Sequence, residues 1–314
     1  MNLRPLLLAA LLAGCAHTVP VPSPAPARTA TDVPAPMKLA DYLALSGPAP
    51  TARHAYGEAH SQYAELFLPD GQGPFPVAVL VHGGCWTSQF GGITQLRNMA
   101  GALASRGIAV WNVEYRRTDE LGGGYPGMYQ DMHAALDLLA SRAAPDRLDL
   151  GRLVAVGHSA GGQLVQWMAG RARIPAGSPL YRPNPLPVRA VVSLGGLADL
   201  RGEAALIKSS CGRDTAELAG VPGPGRPDVF ADTNAAELIP NGSRTYLVTG
   251  ELDTISPPRV AHDYAAKARK AGDVAEVVIL PNASHYDEVA ATSPAWPQVL
   301  RVIETALGMP ARRE

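Results

Sequence analysis

Three residue types that together cleave acyl bonds fall at comparable places along this chain. Ser159 lies in Gly157-His158-Ser159-Ala160-Gly161-Gly162, directly after the aliphatic run 153–156 and before an apolar helical stretch. A serine between glycines at a strand-to-helix turn can sit on a strained bend with its Oγ presented outward, because glycine has no Cβ to clash there. A serine hydroxyl is a weak nucleophile at neutral pH, so such a site needs a histidine base and an acid that orients it. His285 follows the run 274–280 and Asp253 follows 246–248, which would put all three at one end of a sheet. Asp199, after the run 190–194, is the second candidate acid, and Glu251 reads as a solvated neighbour. The bland alternative is a glycine-rich turn in which Ser159 only caps a helix.

The remaining histidines offer less. His158 is expected to point away from the nucleophile, His133 reads as surface or packing, and His54, His60 and His262 have no metal-ligand spacing. Neither H-E-x-x-H nor C-x-x-C occurs, so no metal site is expected. In His82-Gly83-Gly84-Cys85-Trp86, after the run 77–81, His82 reads as loop architecture and Trp86 as packing. Arg116 and Arg117 border the same rim; contact with a substrate carboxylate is possible chemistry, but pairing with Glu114 or Asp131 is the preferred reading.

Residues 61–68 alternate as a partly exposed edge strand would, whereas 77–81 is an unbroken aliphatic run suited to a strand buried on both faces. Similar runs return at 108–113, 153–156, 190–194, 246–248 and 274–280, separated by helical stretches at 93–105, 126–143, 160–171 and 257–271. Met128, Met132, Leu136 and Leu139 mark one apolar face of the second helix. This alternation predicts an α/β fold, a mostly parallel sheet with helices on both faces and its ligands beyond the carboxyl ends of the strands.

The H-G-G-C-W loop, the G-H-S-A-G-G turn and the later Asp253 and His285 together resemble the α/β-hydrolase superfamily. Its esterase, hormone-sensitive-lipase-like and kynurenine-formamidase-like branches are the most similar, and the resemblance spans nearly the whole domain. It implies an α/β-hydrolase fold with a short lid, placed here at 200–240, and the triad Ser159, Asp253, His285 in that chain order. It also implies oxyanion donors at the backbone amides of Gly84, Cys85 and Ala160, and no cofactor. Cys85 stands where the lipase-like loop carries a third glycine, which leaves the branch open. The implied activity is hydrolysis of small-molecule carboxylic esters with small or medium acyl groups; formamide hydrolysis and a non-catalytic binding lipoprotein are the alternatives.

The 314 residues carry 27 basic and 28 acidic side chains, a net charge of −1 with no basic stripe, so nucleic acid is not an expected partner. Residues 1–14, MNLRPLLLAALLAG, read as a secretory signal whose apolar run is too short to span a bilayer. Leu12-Ala13-Gly14-Cys15 resembles the lipobox of bacterial lipoproteins, which implies a lipid on Cys15 and an exported protein anchored at the periplasmic side or the outer membrane. An ordinary cleaved signal beside an unrelated cysteine is the other reading. Residues 15–36, with Pro20, Pro22, Pro24, Pro26, Pro34 and Pro36, read as an extended tether, and 37–314 as the catalytic domain. In an oxidising compartment Cys85 and Cys211 could form a disulfide or remain two separate buried thiols.

Overall fold

An unbroken aliphatic strand needs apolar cover on both faces, and the centre of this protein is built on that requirement. The computed structural model describes residues 34–310; the expected signal segment, Cys15 and most of the expected tether lie outside the described residues. From Pro36 to Pro310 the described chain is one compact unit.

Its strands are β1 (Ala52–Ala55), β2 (Tyr63–Phe67), β3 (Phe75–Val81), β4 (Ala109–Val113), β5 (Leu148–His158), β6 (Ala190–Leu194), β7 (Arg244–Gly250) and β8 (Val274–Leu280). They form one sheet in the order β1-β2-β4-β3-β5-β6-β7-β8. The pairs β1·β2 and β2·β4 are antiparallel, and every later pair is parallel.

Side chains alternate across a strand, so each central strand divides between two cores. Val77, Val79 and Val81 of β3 enter one core with Trp111 and Ala155, while Ala78 and Leu80 enter the other with Val110, Val154 and Val156. The first core is covered by α3 (Gly127–Arg142), α4 (Ala160–Gly170) and α7 (Pro258–Ala271), through residues such as Met128, Leu164 and Val260. The second is covered by α1 (Leu39–Leu43), α2 (Arg97–Ala104) and α8 (Trp296–Ala306), through Tyr42, Met99, Val299 and Ile303. The predicted face of α3, Met128, Met132, Leu136 and Leu139, is fully buried.

Two expectations shift. The alternating stretch 61–68 is not the edge: β2 is largely buried, and β1, a short Ala-Arg-His-Ala segment, takes the outer position. The helix expected at 93–105 begins as a 3-10 turn, Ile93–Leu96, before α2. The lid segment 200–240 holds α5 (Ala204–Cys211) and α6 (Thr215–Ala219). It is tied to the body through Leu200, Ile207 and Leu218 in the core and by the Trp167 indole N–H donating to the Asp232 carbonyl at 2.7 Å. Among the described residues no helix is long and apolar enough to cross a membrane.

Candidate active site

The carboxyl ends of β3, β5, β7 and β8 carry the chemistry-bearing residues. Ser159, between β5 and α4, has φ 54° and ψ −118°, a conformation L-residues rarely adopt and one that costs on the order of 1–3 kcal/mol. Its amide donates to the Leu194 carbonyl at 2.8 Å, and its own carbonyl accepts from the Gln163 amide at 3.2 Å. The flanking glycines are required by close approach. A Cβ on Gly157 would fall 2.2 Å from the Gly161 carbonyl oxygen, and one on Gly161 would fall 2.1 Å from that of Val81.

Asp253 follows β7 and His285 follows β8. His285 Nδ1 lies 2.7 Å from Asp253 Oδ2, and both are buried, 3% and 4% exposed. Asp253 Oδ1 accepts the Ile255 and Ser256 amides, each at 2.8 Å, which fixes the carboxylate and leaves Oδ2 for the ring. Ser159 and His285 line one cavity, so the two meet the same space. Among the described residues no hydrogen bond joins the Ser159 hydroxyl to the imidazole; such bonds are often long or misaligned without substrate. The other candidate acids are engaged elsewhere. Asp199 pairs with Lys267 and accepts from Asn234 and Gly202, and Glu251 accepts the Asn282 amide.

The loop after β3 turns through three consecutive positive φ angles, Gly84 108°, Cys85 52° and Trp86 56°. Gly84 and Cys85 line the cavity, and among the described residues no protein acceptor takes their amides. Ala160, the first residue of α4, has an amide outside the intrahelical ladder. His82 anchors this loop. Its Nε2 lies 2.6 Å from Glu114 Oε1, its Nδ1 2.7 Å from the Gly83 carbonyl, and its ring stacks on Tyr115. Burial opposes ionisation of Glu114, but the His82 ring, Arg117 and the Tyr115 amide outweigh it and hold the carboxyl down to about 2. Cys85 is joined to Cys211 by a disulfide with a Cα–Cα distance of 5.2 Å, which fastens the loop to the end of α5.

The cavity has a volume of about 190 Å³ and a mainly apolar lining that includes Phe90, Ile255 and Tyr286. Leu39 and Tyr42 of α1 form part of the wall and Ser210 of α5 another. None of these was legible as a site residue, because apolar side chains in short elements carry no motif.

His158 corrects the sequence reading. It does not turn away: its ring packs 4.5 Å from that of His285, and its Nε2 lies 3.0 Å from the His285 carbonyl. Burial and the neighbouring His285 push its imidazole well below the usual range, so it stays neutral. Trp86 is fully buried and His133 is a core residue, with Nε2 2.9 Å from the Leu180 carbonyl and Nδ1 3.1 Å from Arg171. Arg116 pairs with Asp131 at 2.7 Å, as the paired reading expects, whereas Arg117 is nearest Glu120, at 2.8 Å, and lies 3.7 Å from the expected Glu114. Donor atoms of His158, His285 and Glu288 come within 4.8 Å of one another. One nitrogen of each histidine is engaged, His285 Nδ1 with the Asp253 carboxylate and His158 Nε2 with the His285 carbonyl.

The sheet order, the strained serine after β5, and the acid and histidine after β7 and β8 define an α/β-hydrolase fold. The BD-FAE family model matches residues 65–267, more than half of the chain, and the protein belongs to that family. Solved structures agree on the fold. A bacterial heroin esterase is 24% identical with a TM-score of 0.64, covering 87% of this chain and 88% of its own. Esterase B from Lactobacillus rhamnosis is 18% identical with a TM-score of 0.67, covering 83% and 88%. A truncated carbohydrate esterase from gut microbiota is 17% identical with a TM-score of 0.67, covering 84% and 100%. Comparison with curated protein sequences found no match.

Proposed function

We propose that this protein hydrolyses carboxylic esters of small or medium acyl groups through an acyl-enzyme on Ser159. The observation that carries the reading is the pairing, in one cavity, of a serine held on a strained turn with a histidine whose Nδ1 is committed to a buried carboxylate. That commitment leaves Nε2 to take the Ser159 proton as the oxygen attacks the ester carbonyl. The tetrahedral oxyanion is met by the amides of Gly84, Cys85 and Ala160, each such donor being worth about 3 kcal/mol in the transition state. His285 then protonates the departing alcohol and activates the water that releases the acid. Asp253 holds the ring in the required tautomer and stabilises the imidazolium.

The modest apolar cavity supports short acyl groups, and the names of the similar solved structures, esterases of several kinds, support ester over amide substrates. Turnover of p-nitrophenyl acetate and longer acyl esters tests the reading, with Ser159→Ala expected to lower kcat/KM at least about 10⁴-fold. Hydrolysis of aryl formamides in preference to esters would replace it with the formamidase reading. Equal, background-level rates for wild type and Ser159→Ala on both would leave a binding role.

The lipobox-like Leu12-Ala13-Gly14-Cys15 and the proline-rich stretch after it support export and a lipid anchor. Cys15→Ser is expected to move the protein from the membrane fraction to the soluble one; unchanged fractionation would end this part of the proposal.

A further inference from the structure

Glu288 is fully buried beside the candidate triad and takes no part in the mechanism above. It lies on the short 3-10 turn Asp287–Val289 that follows His285. Its Oε1 accepts the Gly250 amide at 2.7 Å, and its carboxyl meets the Asp253 side chain. Oε2 has no hydrogen-bond partner among the described residues. Its position is marked by Gly195, where a Cβ would fall 2.6 Å from Glu288 Oε2 and 2.8 Å from His285 Nδ1. The second oxygen of Glu288 therefore sits against the His285–Asp253 hydrogen bond, and Gly195 leaves the space that admits both.

Two carboxyl groups in contact at such depth do not both ionise, since neither is solvated and each repels the other. The proton stays on the one with fewer donors. Asp253 accepts three N–H groups, from His285, Ile255 and Ser256, whereas Glu288 accepts only that of Gly250. The other titratable groups around Glu288 are His285 and Asp287 on its own loop and His158 at the end of β5. His158 is neutral and Asp287 adds negative charge, so none of these favours a second carboxylate.

We propose that Glu288 is a positioning residue: a neutral carboxylic acid whose Oε2–H donates a fourth hydrogen bond to Asp253. The inference rests on the triad reading of Asp253 and His285. It gives the unpartnered oxygen a role, because a protonated Oε2 has a carboxylate to donate to. It also explains why an acid sits there. An ionised Glu288 would add a second negative charge beside His285, favour the imidazolium and remove the base at neutral pH, whereas the neutral acid supplies the bond without the charge. Burial pushes the Glu288 carboxyl well above the usual range, in the same direction.

The test uses the full-length protein and two variants. Glu288→Gln keeps a donor and an acceptor, while Glu288→Met keeps bulk and loses both. Infrared spectroscopy at pH 7 should show the carbonyl stretch of a protonated carboxylic acid in wild type that is missing in Glu288→Gln. Glu288→Met should lose about tenfold in kcat with KM within about twofold, and the acid limb of its kcat/KM profile should move upward, because Asp253 has lost a donor. Glu288→Gln should recover most of that loss with its acid limb displaced by less than about 0.3 pH unit. A downward displacement of about one unit in Glu288→Gln would show that a charge had been removed and would overturn the proposal. So would a Glu288→Met enzyme equal to wild type in kcat, or the absence of any protonated-carboxyl band lost on mutation. Should Glu288→Met not fold, the infrared band and the Glu288→Gln profile still decide. Should wild type and Ser159→Ala prove equally inactive, the hydrolase reading fails while the band still reports the proton on Glu288.

Discussion

His285 with Asp253 and His82 with Glu114 are two buried histidine–carboxylate contacts of nearly equal length, 2.7 and 2.6 Å. They differ in what the other ring nitrogen meets. Both nitrogens of His82 face acceptors, Glu114 and the Gly83 carbonyl, and its ring is stacked on Tyr115, so it has no nitrogen left for a reacting group. In His285 the carboxylate takes Nδ1 alone, and the ring borders the cavity shared with Ser159. The same pair of residue types thus makes a brace in one place and a candidate base in the other. Chemistry depends on the unspent valence of the pair and not on the pair itself.

The sharpest break of that comparison is in rate. Asp253→Asn is expected to lower kcat on p-nitrophenyl acetate by about 10⁴-fold with little change in thermal midpoint, since the wrong tautomer is then favoured at His285. Glu114→Gln should do the reverse, costing about 3–5 kcal/mol in urea unfolding because it strips the charge partner from a buried group, with any loss of rate following from the loosened loop. A Glu114→Gln protein as stable as wild type would remove the brace.

Next in size is the disulfide that ties the same loop to α5. Cys211→Ser should cost about 2–4 kcal/mol, and kcat should fall as the Cys85 amide loses its fixed position; identical unfolding curves with and without reductant would contradict this.

The most gradual effects are those of pH, small within any one pH unit. His133 has its imidazole held down to about 3 by burial and by Arg171, against an ordinary value of 6.5. The unfolded chain therefore binds a proton that the native state refuses, and the stability at stake is complete above pH 6.5 and lost as pH falls toward 3. For Glu114 the window is lower: its contribution is complete above pH 4.5 and lost between there and about 2. Unfolding free energies from urea titrations between pH 8 and 3 should decline from near pH 6.5, by about 1.4 kcal/mol per pH unit for each such group. His133→Gln should flatten the upper part of that decline, and Glu114→Gln only the part below pH 4.5.

Much of the site was legible because its demands are local. Gly157, Ser159 and Gly161 are dictated by a turn that no bulkier flanking residue could make, whereas Asp199 and Asp253 both follow buried strands and only the contact with His285 separates them. Glu114 was harder to read: beside two arginines it looks like half of a surface ion pair, and its partner His82 is distant in sequence and adjacent only across β3 and β4. The misreading of His158 has the same origin, since the space beneath the serine is filled by the loop after β8, which no local pattern announces.

From the sequence alone came the alternation of buried strands and helices, the placement of Ser159, Asp253 and His285 at one sheet end, and the glycine loop before Trp86. These follow from periodicity, turn sterics and the chain order of elements, which are properties of short segments. Tertiary structure alone decided that α1 supplies a wall of the cavity, that Glu288 lies against Asp253, and which of two histidine–carboxylate contacts keeps a nitrogen free. Those outcomes depend on which surfaces meet when distant segments pack, and on how few donors remain once water has been excluded.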